Sequence, residues 1–426
     1  MQVQSALALG ALSAPDLRRR LAVSPATLMR MVQAAGPDVL RLGRGRATRY
    51  AWRERWLNLA RAEFPVFRVL PDGAIESGGE LLTLAARQSV WMPDSVIANG
   101  LPVEIADARP SGFLGRHFAA VHTDLRLPLR VTDWSDHHIL LAMASRGEDL
   151  PGHFVIGEES FTRWQQLDIA EVTTDDYASL ADATSAGHPP GSSAGGERPK
   201  FCAYVDGRHR LVKFAARGAG IDTAARRWCD LLVLEHLALE TIAAHGIAAA
   251  RTRLVESSSY VFMDSERFDR VGQRGRLGVI SLAALHDDLV DTWAQAAAAL
   301  ARADRISDAD ARQLRWLDAF GSLVGNTDRH QHNVVFFTDD GGPRLAPAFD
   351  QVSMAYAPTA DGQVIHRPWV MPSPAVDTLN VWDDALLAAR DFWERAATDA
   401  RVSPDLRVVC ADNAQRCTPA IIVPRT

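Results

Sequence analysis

The sequence predicts an α+β fold. Three observations point there: a basic head of two short helices and a hairpin, a glycine-rich stretch running into two short strands, and amphipathic helices toward the C-terminus. The chain has 426 residues, enough for two or three domains and a sizeable core. Its apolar fraction of 47% and charged fraction of 23% are those of an ordinary soluble protein. Cys202, Cys229, Cys410 and Cys417 form no CxxC pair, so neither a disulfide framework nor a zinc site is expected, and a reducing cytoplasm is the expected compartment. The N-terminal apolar run lacks the preceding positive charge of a signal peptide, and no stretch approaches the roughly 18 apolar residues of a membrane span. No membrane partner is expected.

Charge is unevenly distributed. Residues 1–60 hold ten Arg against Asp16, Asp38 and Glu54, a balance of +7 in a chain of net charge −6, so the remainder carries −13. A basic head on an acidic body points to a polyanion as the partner of the head. Asp16–Leu21 reads as a short helix. Ser24 is a good N-cap, Pro25 suits the first helical position, and Thr27–Ala35 continues as a helix with Leu28, Met31 and Val32 on one face. This is helix–turn–helix spacing, with the second helix as candidate reader of a major groove. Val39–Trp52 follows as two strands around a Gly-Arg-Gly turn, a wing whose Arg44, Arg46 and Arg49 would meet phosphates or a minor groove. Residues 1–60 are therefore predicted as a winged helix–turn–helix that binds double-stranded DNA, with Thr27, Arg30 and Arg46 as candidate base contacts. A small helical module with a solvated basic face explains the charge but not the order of elements.

Residues 61–180 mix strand-like segments with turns. Phe67–Leu70, Gly73–Ser77 and Val103–Ala106 read as strands, Glu80–Ser89 as a helix, and Asp107–Ala119 as a turn followed by an amphipathic helix. His137, His138 and His153 lack sequence partners and read as surface or core histidines.

Of the 46 basic residues, 44 are Arg; the two lysines are Lys200 and Lys213. Such a bias puts Arg wherever either residue serves, and Arg does not replace Lys where a compact ammonium must fit a phosphate. Chance survival is the alternative. Residues 181–200 look like a linker by composition, yet they end in GSSAGGERPKF and run into strands Phe201–Val205 and Arg210–Phe214 around the turn Asp206-Gly207. A glycine-rich loop between strands, then a strand with a rare lysine, is the order of a kinase nucleotide lobe, predicted over 181–270. Arg227–Ala244 reads as an amphipathic helix with Leu231, Leu234, Leu237, Ala238 and Ile242 on its apolar face. Its Glu235 is either a partner for Lys213 or an exposed helix charge. Tyr260–Met263 reads as a strand leading to Ser265–Arg270, a connection placed to grip adenine between lobes.

The sharpest spacing lies further on. A helix over Ala309–Leu323 leads into GNTDRHQHNVVFF, where Asp328 and Asn333 stand five apart, as base and metal ligand do in a kinase catalytic loop. Phosphoryl transfer needs a carboxylate for the substrate hydroxyl, and an amide oxygen with a second carboxylate to hold magnesium on the phosphates. After the strand Asn333–Phe337 and a turn at Asp339–Gly342, RLAPAFD supplies Asp350. One rival is a metal-dependent nuclease using Asp328, His330 and His332, which leaves Lys213, the glycine-rich loop and Asn333 unexplained; another is a DNA-binding transcriptional regulator with a degenerate kinase body. Residues 376–426 read mainly as helix, packed through Leu386, Leu387, Phe392 and Trp393.

GSSAGGERPKF, LVKF, SERFDR, GNTDRHQHN and LAPAFD in that order resemble the HipA-type serine/threonine toxin kinases of bacteria, from about residue 65 to the C-terminus. The head and DARPSGFLGR resemble the subgroup that carries its own helix–turn–helix (HipH or YjjJ-like proteins). The resemblance implies a bilobal kinase core: a β-rich N-terminal subdomain (61–180), the nucleotide lobe, and an all-helical C-terminal lobe (271–426). It implies Asp328 as catalytic base, Asn333 and Asp350 as magnesium ligands, and Ser193, Ala194, Gly195, Gly196, Lys213, Glu266, Phe268, His330, Asn333 and Asp350 around ATP. Ser192 aligns with the serine that the family autophosphorylates in its mobile loop, which silences the kinase. A protein substrate is implied, and family targets include aminoacyl-tRNA synthetases. Members usually pair with a separate DNA-binding antitoxin, a role that a module fused in cis could take over. Lys200 sits near the family's loop lysine, next to Pro199, and Glu235 is offset from the usual acidic position with His236 beside it.

Overall fold

The structure, a computed structural model, describes residues 2–92, 95–110, 112–186, 199–218, 220–286, 288, 290–339, 341–365 and 370–418. The chain divides into two compact units, Met1–Ser111 with Phe118–Asp168, and Gly112–His117 with Ile169–Thr426.

The first unit opens with helices Gln2–Leu7, Ala14–Leu21 and Pro25–Ala35 and a three-stranded antiparallel sheet in which Arg49–Trp52 lies between Leu12–Ser13 and Val39–Leu42. The Ser13 and Ser24 hydroxyls accept from the amides of Asp16 and Thr27, capping the second and third helices. Gly43 has φ +75°, and a Cβ there would lie 2.8 Å from the Ala47 carbonyl oxygen, so the tight turn of the hairpin requires glycine. The first helix is an addition to the sequence reading. It buries Val3, Ala6 and Leu7 against Leu17, Leu28, Val39 and Tyr50.

A five-stranded antiparallel sheet follows, in the spatial order Val96–Asn99, Gln88–Met92, Ile75–Thr83, Glu63–Val69, Phe154–Ile156. Here two expectations fail. Glu80–Ser89, expected to be helical, ends one strand and begins the next around a turn with Ala86 and Arg87 at positive φ. Alternation wins over helix propensity because Leu82, Leu84 and Val90 bury in a core with Leu42 and Ala51 of the head's hairpin. Val103–Ala106, expected as a strand, is the short helix Val103–Asp107, which buries Ile105 with Leu140 and Met143 of helix Asp136–Arg146. His137 and His138 are not unpartnered: their Nδ1 atoms lie 2.7 and 3.0 Å from the Ser135 hydroxyl at the start of that helix.

In the second unit a four-stranded antiparallel sheet runs Thr252–Glu256, Tyr260–Glu266, Arg208–Ala216, Lys200–Val205 in space. Asp206 and Gly207 (φ +51° and +69°) make the tight turn that suits a two-residue hairpin. One face packs Val212, Phe214 and Phe262 against Tyr177 and Ala181 of helix Tyr177–Ala186. The other packs Ala215, Val261 and Met263 against Cys229 and Leu232 of helix Thr223–Ala244. That long helix also enters the core of helices Trp293–Arg302, Asp308–Leu323, Trp382–Thr398 and Pro404–Arg416, around Trp293, Phe320, Phe392 and Trp393.

Residues 271–426 are not all helical. Val279–Ser281, Val335–Asp339 and Gly342–Leu345 form an antiparallel sheet, because the apolar run Val334–Phe337 pairs on both edges. Leu387 is half exposed while Leu386 is buried, since neighbouring residues on a helix point about 100° apart. Among the described residues no helix is long and apolar enough to cross a membrane.

Candidate functional site

Strand alternation turns Lys213 to the face covered by helix Thr223–Ala244, and that helix offers Glu235. The Lys213 Nζ donates to Glu235 Oε1 at 2.6 Å and to Asp350 Oδ1 at 2.5 Å. Of the two readings left open for Glu235, the pair is the one found: Lys213 and Glu235 are 6% and 2% exposed. Burial works against the Lys213 ammonium, but Asp350 and Glu235 outweigh it and hold its pKa above the ordinary lysine range. The two acids diverge. Burial dominates at enclosed Glu235 and pushes its pKa up despite Lys213. Burial also opposes the charge of Asp350, yet Lys213, Lys200 and His330 overcome it and pull its pKa down to about 2. Asp350 therefore carries the firm negative charge of the triad. It also has φ +55°, a left-handed conformation that an aspartate adopts at some cost, of the order of 1 kcal/mol, in a functional turn.

The loop with Asp328 is fixed from several sides. Gly325 (φ +73°) lets the chain leave helix Asp308–Leu323, and buried Asn326 accepts from the Asp328 amide at 3.0 Å. Asn333, also buried, donates through Nδ2 to the Asp328 carbonyl at 3.0 Å. Arg329 turns back over the helix, donating to Asp318 Oδ1 at 3.1 Å and to the Asn326 carbonyl. Gly321 makes room for this: a Cβ there would stand 2.6 Å from Arg329 Cδ. Asp318 in turn accepts from the Ala294 amide, Trp293 Nε1 donates to the His330 carbonyl, and Gln331 Nε2 donates to the carbonyls of Asp288 and Asp291. The backbone is pinned while the side chains of Asp328 and His330 stand exposed.

Glu266 ends its strand with Oε1 2.5 Å from an Arg208 guanidinium nitrogen. Phe268 packs edge-on against Phe337 (5.9 Å between centroids) and tilted against Phe349 (5.7 Å), so the expected hinge touches the residue before Asp350. The rival metal trio is not assembled. The His330 and His332 rings are 5.9 Å apart, and among the described residues no three His, Cys, Asp or Glu side chains group as a metal would require. Ser192, Ser193, Ala194, Gly195 and Gly196 lie outside the described residues. In the other unit, Arg30 donates to Thr27 Oγ1 at 3.3 Å, and Arg44, Arg46 and Arg49 are exposed.

Several supporting residues escaped the sequence reading. Arg227 donates to the Tyr356 carbonyl and to Asp405, and Asp230 accepts from the amide and hydroxyl of Ser403 at 2.7 and 2.6 Å. Together they fasten the Glu235 helix to the segment after Asp350 and to the last helix. Their signal was faint: two charges three apart among the apolar residues of a helix.

The donor set suits magnesium and a nucleotide. Asn333 and Asp350 provide hard oxygen ligands of the kind magnesium uses beside phosphates, and Lys213 supplies a compact cation.

Residues 60–165 match the family described as YjjJ-like toxin, middle domain, and residues 192–418 match the HipA-like C-terminal domain. The chain is 33% identical over 430 residues to Toxin YjjJ of Escherichia coli (strain K12), covering 95% of this chain and 94% of that protein. It is similar in fold to a chain from the Shewanella oneidensis MR-1 complex of HipA, HipB and operator DNA, with a TM-score of 0.52 at 15% identity, covering 83% of this chain and 95% of that one.

Proposed function

Because the chain belongs to the YjjJ-like toxins, whose C-terminal part is HipA-like, we propose that it is a serine/threonine protein kinase using Mg-ATP. The observation that carries this reading is the Lys213–Glu235–Asp350 triad, which joins residues 22 and 137 positions apart, with Asn326 of the Asp328 loop donating to the Asp350 carbonyl at 3.4 Å. When bound, ATP supplies the γ-phosphoryl group and magnesium neutralises its charge. Asn333 and Asp350 would hold the metal, and Lys213 would hold phosphate oxygens. The exposed Asp328 carboxylate orients the hydroxyl of a protein substrate and accepts its proton. His330, Glu266 and Phe268 would line the nucleotide, the last two beside adenine. Ser193, Ala194, Gly195 and Gly196 would cradle phosphates through backbone amides, and Ser192 would be the autophosphorylated switch.

The test is phosphate incorporation from labelled Mg-ATP into the purified chain, followed by mass spectrometry. Wild type should gain phosphate at Ser192, and Asp328→Ala and Asp350→Ala should lose at least about a hundredfold in rate. Unchanged incorporation in both variants would sink the proposal.

Residues 1–60 are proposed as a winged helix–turn–helix on double-stranded DNA, supported by the helix order and the exposed arginines of the hairpin. The hairpin packs into the same core as Leu82, Leu84 and Val90, so the full chain is the material to test. Replacing Arg44, Arg46 and Arg49 by Ala should weaken duplex binding at any sequence and lower its salt dependence by about one unit of slope per lost phosphate contact. Such a head would take the place of a separate DNA-binding antitoxin.

A further inference from the structure

The two acids that hold Lys213 lie on segments that meet a second time, away from the sheet. Glu235 is on helix Thr223–Ala244, and Asp350 begins the stretch of chain that reaches Tyr356. Arg227, about two turns before Glu235 on the same helix, donates to the Tyr356 carbonyl at 3.3 Å and to Asp405 of the last helix at 3.0 Å. Its Nε lies 3.4 Å from Asp230, whose carboxylate accepts from the Ser403 amide and hydroxyl at the start of that last helix. Arg227 and Asp230 are 7% and 2% exposed. Tyr356 is gripped at its other end too, its hydroxyl accepting from Asn413 Nδ2 at 2.6 Å. The same stretch touches the Asp328 loop, the Ala355 amide donating to the Gly325 carbonyl at 2.9 Å.

We propose that Arg227, steadied by Asp230, is a positioning residue for the Lys213 site, fixing where Glu235 and Asp350 stand relative to each other. The apolar contacts of the Glu235 helix with the sheet and with the helical core are non-directional and permit it to slide or turn. Polar ties set its register. The tie between Lys213 and Glu235 is one that an arriving phosphate competes for, whereas the ties of Arg227 lie about two turns away and are independent of it. Burial pushes the Asp230 pKa up despite Ser403 and Arg227. Capping the last helix would need only an uncharged Asn or Ser, without burying an acid. That the site so positioned transfers phosphate rests on the kinase reading above.

The chain has only two lysines, so acetylation by a small amine-reactive ester, read peptide by peptide, reports on Lys213. Full-length wild type should protect Lys213, and Glu235→Ala sets the level for a Lys213 that has lost one of its acids. Arg227→Met should raise Lys213 acetylation at least about tenfold toward that level and slow phosphate transfer from Mg-ATP about ten- to a hundredfold. Ser403→Ala, which removes one donor to Asp230 and leaves every charge in place, should move both readings the same way by roughly two- to fivefold. Leu300→Ala, a truncation in the helical core on another helix, sets what lost stability alone does and should leave Lys213 protected. All variants are compared below the onset of their thermal melts. Wild-type protection in Arg227→Met overturns the proposal, as it does in Ser403→Ala where Arg227→Met does not fold. An equal rise in Leu300→Ala overturns it too, and so does a wild type as reactive as Glu235→Ala. A wild type that transfers no phosphate, with Lys213 still unmasked by Arg227→Met, keeps the positioning role and removes the kinase reading.

Discussion

The two faces of the sheet in the second unit each bury an acid against bases, to different ends. On one face Lys213 joins Glu235 and Asp350. On the other, Asp264, wholly buried, accepts from the Tyr177 hydroxyl at 2.7 Å and from Arg253 Nε at 2.6 Å, with Arg210 Nε 3.5 Å from its second oxygen. The Asp264 group is closed at its acid: a phenol and two guanidinium groups, from strands of one sheet and the helix packed on it, surround a carboxylate with no exposed surface. The Lys213 group is open: Asp350 comes from beyond the Asp328 loop, keeps about a third of its side chain exposed, and sits in a left-handed conformation. Buried ion networks cost desolvation and are a poor sign of function by themselves. What separates these two is that one holds its acid wholly inside while the other leaves an acid about a third exposed.

The largest expected effect lies on the open face. Lys213→Met should cut phosphate transfer by at least about a hundredfold, because its ammonium is the group held between the two acids. It also leaves Glu235 buried without its counter-ion, destabilising the chain by about 3–5 kcal/mol. Adding Glu235→Leu should recover most of that stability in urea unfolding and none of the activity. Recovery of both would make the triad structural, like its counterpart across the sheet.

Next comes Asp264→Asn. It removes the charge that Arg253 and Arg210 compensate and should cost about 3–5 kcal/mol in urea unfolding. Below the unfolding transition the variant should bind Mg-ATP as wild type does. A loss of affinity larger than the loss of folded protein would show that the closed group reaches the site.

This contrast was only half legible in the sequence. Lys213 stood out by rarity, and Asp328, Asn333 and Asp350 by spacing, because the chemistry of phosphates restricts both residue type and interval. Lys200 opposite Lys213 was legible in principle, since a two-residue turn at Asp206-Gly207 fixes every pair above it. Asp264 was not, because a lone acid in an apolar strand does not say which of its neighbours in space will neutralise it. The same limit hid the pair of Asp318 and Arg329, whose contact depends on the missing side chain at Gly321. Glu80–Ser89 misleads for a related reason: Leu, Ala, Glu and Arg favour a helix locally, and the buried side of the sheet overrules them.

The smallest effect distinguishes the closed face by pH. Tyr177→Phe deletes one donor to buried Asp264 and should cost about 1–3 kcal/mol near neutrality. Burial, then the hydrogen bond and charge of Asp264, raise the Tyr177 pKa well above the ordinary tyrosine range, with Arg253 opposing. The unfolded phenol ionises near pH 10 while the folded one keeps its proton, so this contribution is whole below pH 10 and drains as pH rises toward the folded pKa. The gap between wild type and Tyr177→Phe should therefore narrow above pH 10. Lys213, Tyr260 and Tyr356 also have raised pKa values and lose stability in the same range, but they are present in both proteins and cancel in the difference. Urea unfolding at about pH 8, 9.5, 10.5 and 11 reads the gap directly. A constant gap would mean that the phenol ionises freely in the folded chain, and Asp264 would then need a different partner to remain buried.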